Sequence, residues 1–74
     1  MSIIRKISIG PDYKNGMHFF VGQEVLGRTH LIHDIRRNDK ADIIVKVINN
    51  QNEVFEWKSF NHTMPVSIEY SVDF

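Results

Sequence analysis

The strongest constraint in this sequence is its last stretch, residues 64–74, where apolar and polar side chains alternate without a break. Met64, Val66, Ile68, Tyr70, Val72 and Phe74 take every second position, and Pro65, Ser67, Glu69, Ser71 and Asp73 take those between. Successive side chains of a strand point to opposite faces, so this spacing predicts a half-buried β-strand, apolar on one face and wet on the other. Such a strand needs neighbours to cover it, and the rest of the chain reads as their source.

Residues 3–9 alternate moderately, with Ile3, Ile7 and Ile9 on one face and Ile4, Lys6 and Ser8 on the other. Gly10, Pro11 and Asp12 stop that strand, because proline lacks a ladder donor and glycine permits a turn; residues 12–16 then read as a loop or one short helical turn after Pro11. Residues 17–26 read as a strand rather than a helix continuing from Pro11, since Gly16, Gly22 and the aromatic and β-branched run disfavour helix. After a turn at Gly27 and Arg28, residues 29–36 place Leu31 and Ile35 on one face and Ile32 on the other, as in a strand partly covered on both sides. A polar loop at 37–40 leads to residues 41–48, the densest β-branched run, and 49–52 form the next turn. Residues 53–59 alternate again, with Phe55 and Trp57 on one face and Glu56 and Lys58 on the other. The expectation is a single mainly-β domain over 1–74, a small antiparallel sheet or partly open barrel of about six strands, threaded as a meander that curls or pairs with a copy of itself.

A chain of 74 residues buries only about 60% of the surface its unfolded form exposes. It has no cysteine, which removes disulfides and cysteine-ligated zinc or iron–sulfur centres as sources of stability. Self-association remains, and it also covers unpaired sheet edges, so a homo-oligomer is expected. Nine basic against nine acidic residues give no broad positive field of the kind that draws in a nucleic acid polymer. No apolar run reaches about 18 residues, and residues 1–9 mix charge with isoleucine instead of forming the apolar core of a signal peptide. These features lead to the expectation of a cytoplasmic protein with no membrane contact, in which the sequon at Asn61, His62 and Thr63 is a chance match.

Four histidines raise the question of a metal. His30 and His33 stand three apart, which on a regular strand aims them at opposite faces, and no acidic or cysteine partner repairs the spacing. His33 and Asp34 are adjacent and equally divergent, and neither a nucleophile elbow nor a phosphate loop is present. The expectation is a non-catalytic protein without metal or cofactor. The cluster with ligand-binding character is Tyr13, Lys14, Asn15, Met17 and His18. An anionic aromatic ligand needs cations or amides for its phosphate, a flat or soft surface for its base and amides for the base edge, and this segment holds all three. The same composition is also that of an ordinary solvated turn. Trp57 shares the face of Phe55 and suits core or subunit interface, with Lys58 beside it; Arg28, Arg36 and Arg37 sit at or beside turns, where a surface role is the default.

Three stretches, residues 9–18, residues 20–23 and residues 54–60 leading into 64–70 and the terminal Asp73 and Phe74, together resemble a family of very short phage-encoded proteins, the anti-CBASS cyclic-nucleotide sponges of the anti-CBASS protein 4 type. The likeness covers nearly the whole chain, with residues 28–52 matching in strand pattern alone. The resemblance implies a tetrameric, non-catalytic protein that sequesters cyclic dinucleotides such as 3′,3′-cGAMP in the host cytoplasm and so blocks bacterial antiphage defence. It implies that Tyr13 stacks on a base, Lys14 pairs with phosphate, Asn15 hydrogen-bonds, Met17 gives a soft wall and His18 donates to an oxygen, with Trp57 and Lys58 as a second stacking wall and anion contact. Gly16 departs from the family pattern, which leads one to expect alanine there. The alternative is a small interaction protein that presents a sheet edge or aromatic patch to a host protein and inhibits it directly.

Overall fold

The computed structural model describes residues 2–12 and 14–72 in backbone and, of these, 4–70 in side chain. Its strands are β1 (Ser2–Ile9), β2 (Met17–Phe20), β3 (Glu24–Val25), β4 (His30–Arg37), β5 (Ile43–Ile48), β6 (Val54–Phe60) and β7 (Pro65–Val72). They form two antiparallel sheets, ordered β2-β1-β7 and β3-β4-β5-β6, one of which curls into a half-barrel. The mainly-β, antiparallel class is as the alternation predicts. Only the second sheet is a simple meander, because β7 returns across the molecule to pair with β1 from Ser2↔Val72 to Ile9↔Pro65.

No helix occurs among the described residues, so of the two expectations for the segment after Pro11, a loop or one short helical turn, the described residues there take the loop. The expected strand 17–26 is likewise divided into β2 and β3 by a corner at Val21, Gly22 and Gln23. The Gln23 amide donates to the Phe20 carbonyl at 3.1 Å, while the Gly22 amide donates to Ile32 O at 2.8 Å and Ile32 N donates to Gln23 O at 2.9 Å. The corner therefore carries the chain from one sheet to the other and hooks it onto β4.

Between the sheets lies a core of Ile4, Ile7 and Phe19 from the first and Ile32, Ile35, Ile43, Val45 and Val47 from the second, with Ile9, Val25, Trp57, Phe60 and Ile68 packed around it. All but one of the central members are β-branched, which suits a pleated surface. Each such side chain contributes about 1.5–3 kcal/mol when fully buried. Of the terminal alternation, Ile68 reaches this core, whereas Met64, just before β7, and Val66 and Tyr70 on that edge strand stay nearly half exposed. The Tyr70 hydroxyl accepts from Arg37 Nη2 at 3.2 Å, a tie from this edge to the end of β4.

Four register shifts correct the expected faces. In β1, Ile4 stands opposite Tyr70 and Lys6 opposite Glu69, so Arg5 is an extra residue. That bulge turns Ile4 and Ile7, three apart, onto the same buried side, where strict alternation assigned them to opposite faces. In β4 the extra residue is His33, which puts Ile32 and Ile35 together in the core and leaves Leu31 exposed, the reverse of the expected grouping. In β6 it is Trp57, since Val45 faces Lys58 and Lys46 faces Glu56. Lys58 therefore lies on the side of buried Val45 and not on that of Glu56, as alternation predicted. A fourth, at Val66, bends β7 where Ser8 faces Ser67 and Ile9 faces Pro65.

The core assignment predicts that Ile7→Ala, at a fully covered position, lowers the unfolding free energy by about 2–5 kcal/mol. Ser59→Ala, on the exposed face of β6, is expected to change it by less than about 0.5 kcal/mol. Urea titration of the two variants checks this, and equal losses would contradict the division into core and surface.

Candidate functional site

Residues 10–16 close the hairpin between β1 and β2, whose register runs Ile9↔Met17, Ser8↔His18, Ile7↔Phe19 and Lys6↔Phe20. The loop is organised by Asp12. Its Oδ1 accepts from the Asn15 amide at 2.8 Å, and Asn15 Nδ2 donates to Oδ1 and Oδ2, each at 3.1 Å. These bonds, the side-chain ones first and then those from the Asn15 and Lys14 amides, stabilise the carboxylate and hold Asp12 below its ordinary pKa of 3.8. The backbone folds back so tightly that a Cβ on Gly16 would lie 2.5 Å from Ile9 O and 2.8 Å from Asp12 O, and one on Gly10 would lie 2.6 Å from Gly16 Cα. An alanine at 16 does not fit this loop without moving its backbone.

Of the residues singled out from the sequence, Tyr13 lies outside the described residues. Lys14 and Asn15 are exposed on the loop, and Met17 is exposed at the start of β2. Asn15 has committed its Nδ2 and backbone donors to Asp12, so what it offers a ligand is its Oδ1 acceptor. His18 points to the face of the sheet opposite Met17 and is half-buried, with Nδ1 2.8 Å from Ser8 Oγ. A serine bonded to a histidine is the arrangement of an activated nucleophile, but Ser8 is 1% exposed and no substrate carbon can reach its oxygen.

Trp57 and Lys58 stand apart from the loop, on β6 of the other sheet. The Trp57 ring meets Phe19 edge to face at 5.8 Å and 81°, Phe60 packs on the other part of Phe19 at 5.6 Å, and Lys58 Nζ sits 4.8 Å from the Trp57 centroid. Trp57 is thus a core-flanking aromatic whose π-surface is already shared with a cation. The described candidates fall into two groups, a hairpin group of Lys14, Asn15, Met17 and His18 and a β6 pair, bridged by Phe19.

Two surface cavities are lined by other residues. One, of about 470 Å³, lies among Arg5, Lys6, Phe20, Val21 and Glu69. The other, of about 400 Å³, has Leu31 and Ile48 in its wall with Arg28, His30 and a run of asparagines. Leu26, Gly27 and Arg28 beside it are consecutively left-handed, with φ of 53°, 68° and 70°, and Arg28 pairs with Glu24 at 3.6 Å. The first grouping is invisible to strict alternation, which sends Arg5 and Lys6 to opposite faces. Asp12 and Asn15, by contrast, carry a local signal, since aspartate readily accepts from amides a few residues on. Among the described residues no three histidine, aspartate or glutamate side chains are grouped to hold a metal ion. No helix in them is long and apolar enough to cross a membrane. In comparisons with protein-family models, with curated proteins and with solved structures, nothing matches this chain.

The loop geometry yields two expectations. Because the folded loop favours ionised Asp12, its ordering contribution is present above the ordinary value of 3.8 and is lost as pH falls through the lower folded value. Carboxyl-detected NMR is expected to place the Asp12 midpoint below 3.8, and Asn15→Ala to raise it toward that value. Gly16→Ala is expected to shift the amide resonances of the β1–β2 hairpin and to cost about 1–3 kcal/mol by thermal unfolding. An unchanged spectrum would mean that the close backbone approach at Gly16 is absent in solution.

Proposed function

We propose that this protein is a non-catalytic sponge for cyclic dinucleotides such as 3′,3′-cGAMP, binding them stoichiometrically and withholding them from a bacterial antiphage effector in the host cytoplasm. The observation that carries this reading is the hairpin loop, a tightly closed backbone turn that projects Lys14 into solvent and runs directly into Met17 and His18. A loop already ordered by Asp12 and Asn15 loses little freedom on gripping a ligand, and its lysine supplies a point charge for phosphate. Tyr13, between Asp12 and Lys14, is the residue whose ring would stack on a base.

The second element of the proposal is self-association, as a tetramer. The exposed apolar side chains Val66 and Tyr70 lie on β7, with Met64 just before it, and among the described residues no strand pairs with the outer edge of β7. Edges of this kind pair with further strands unless they are blunted. Two loops related by a symmetry axis would then suit a ligand made of two similar halves. The same edge also favours the second reading, in which a host protein docks there and is inhibited.

Titration calorimetry of the purified protein against a panel of cyclic di- and trinucleotides tests the leading reading. Sub-micromolar binding of a cyclic dinucleotide is expected, with the ligand recovered intact after heat denaturation, and Lys14→Ala is expected to weaken it about tenfold through loss of a charge-assisted contact. Absence of heat with every member of the panel would reject the sponge, and a defined host protein captured through the β7 edge would establish the second reading. Recovery of hydrolysed ligand would show an enzyme instead.

A further inference from the structure

We infer that the outward face of the β2-β1-β7 sheet carries a guanine-nucleotide subsite built from Arg5, Lys6, Phe20 and Glu69. The inference rests on the nucleotide-binding reading above, but on a different part of the molecule from residues 10–16.

Consecutive residues of a regular strand point to opposite faces, so Arg5 and Lys6 would ordinarily be separated by the sheet. The bulge in β1 leaves Arg5 without a register partner on β7 between the pairs Ile4↔Tyr70 and Lys6↔Glu69, while on the other side its carbonyl accepts from the Val21 amide at 3.0 Å. Both cations consequently line one cavity of about 470 Å³, together with Phe20, Val21 and Glu69. Bulges are a usual device for re-aiming a side chain, and here the device sets two positive charges on one concave surface. Lys6 stands in register with Phe20 on one side and Glu69 on the other, which produces a row of aromatic ring, cation and carboxylate across the three strands. Lys6 Nζ is 3.7 Å from Glu69 Oε2. Phe20 is 44% exposed, a large ring left open at the cavity wall while Phe19 beside it is buried.

Each part of that row fits one part of a nucleotide. The Phe20 ring offers a stacking platform for a base, and the Arg5 guanidinium offers a planar fork for two phosphate oxygens. Glu69 is the discriminating group. A carboxylate accepts two parallel hydrogen bonds, and the Watson–Crick edge of guanine presents two adjacent donors, its ring N–H and its amino group. Adenine presents a donor beside an acceptor on that edge, and its acceptor nitrogen would face a negative oxygen. Lys6, held against Glu69, balances the carboxylate so that the cavity is not repellent to phosphate. His18 follows on the same face, two residues from Phe20 and so about 7 Å along the strand, and joins this cavity to the end of the hairpin loop.

Amide NMR titration of the full chain with GMP and, separately, with AMP tests the subsite. Saturating shifts are expected at residues 5, 6, 20, 21 and 69 with GMP, and binding about tenfold weaker with AMP, as the loss of charge-assisted hydrogen bonds implies. Arg5→Gln and Phe20→Ala, both at exposed positions where the fold is not at stake, are each expected to weaken GMP about tenfold. Glu69→Gln is expected to erase the preference for GMP over AMP, and Ser59→Ala, on the other sheet, to leave GMP binding unchanged. Absence of saturable shifts at these residues, equal affinity for the two nucleotides, or insensitivity to Arg5→Gln and Phe20→Ala would each overturn the subsite. If a cyclic dinucleotide binds with an affinity indifferent to Arg5 and Phe20, the subsite fails and the sponge stands. If GMP binds here while no cyclic dinucleotide binds, the sponge fails and the subsite stands.

Discussion

The pairing of β1 with β7 is the contact on which the rest of this molecule depends. β1 is the central strand of its sheet, and it contributes Ile4 and Ile7 to a core shared with the facing sheet. Two strands alone would be marginal in water, and β2, with four residues, is short. The third strand makes a sheet broad enough to cover the inner face of the facing sheet. A small chain without disulfides has few other means of stabilising itself, so the long-range closure between its first and last strands carries much of the folding free energy and also holds the β1–β2 hairpin in place.

Charge in this protein is arranged locally. The net charge is zero, and across the second sheet Asp34, Lys46 and Glu56 stand in one cross-strand row of alternating sign. Such rows stabilise register modestly and cancel their own field at a distance. Cations placed outside the rows, Lys14 on the loop and Arg5 at the bulge, are where an anion would feel attraction. Affinity for a phosphate-bearing ligand would therefore come from close contact and shape, with little long-range steering.

How much of this was legible in the sequence follows from what alternation can and cannot encode. The β class, the positions of most strands and the density of residues 43–48 follow directly from β-branched runs and period-two spacing, and β5 lies inside the run predicted for it. The bulges at Arg5, His33, Trp57 and Val66 do not, because a bulge is settled by pairing with another strand and leaves no mark in its own neighbourhood. Each one inverts the faces beyond it, which is why strict alternation places Ile4 and Ile32 on the wrong side and groups Lys58 with Glu56. At the candidate site the hairpin loop was recognisable from Asp12, Asn15 and the flanking glycines. The separation of Trp57 and Lys58 from that loop was not, since it depends on β6 belonging to the other sheet.

The antiparallel closure has a mechanical side. Ser2 and Val72 are register partners, so the chain enters and leaves the first sheet at neighbouring points. Tension applied between those points would load the ladder one rung at a time, from the Ser2 end inward, as a zipper is opened. Strands sheared lengthwise share a load over all their hydrogen bonds, whereas strands peeled apart present only the outermost one. The contact that matters most to the resting fold is thus also the one that a force applied between Ser2 and Val72 would open first.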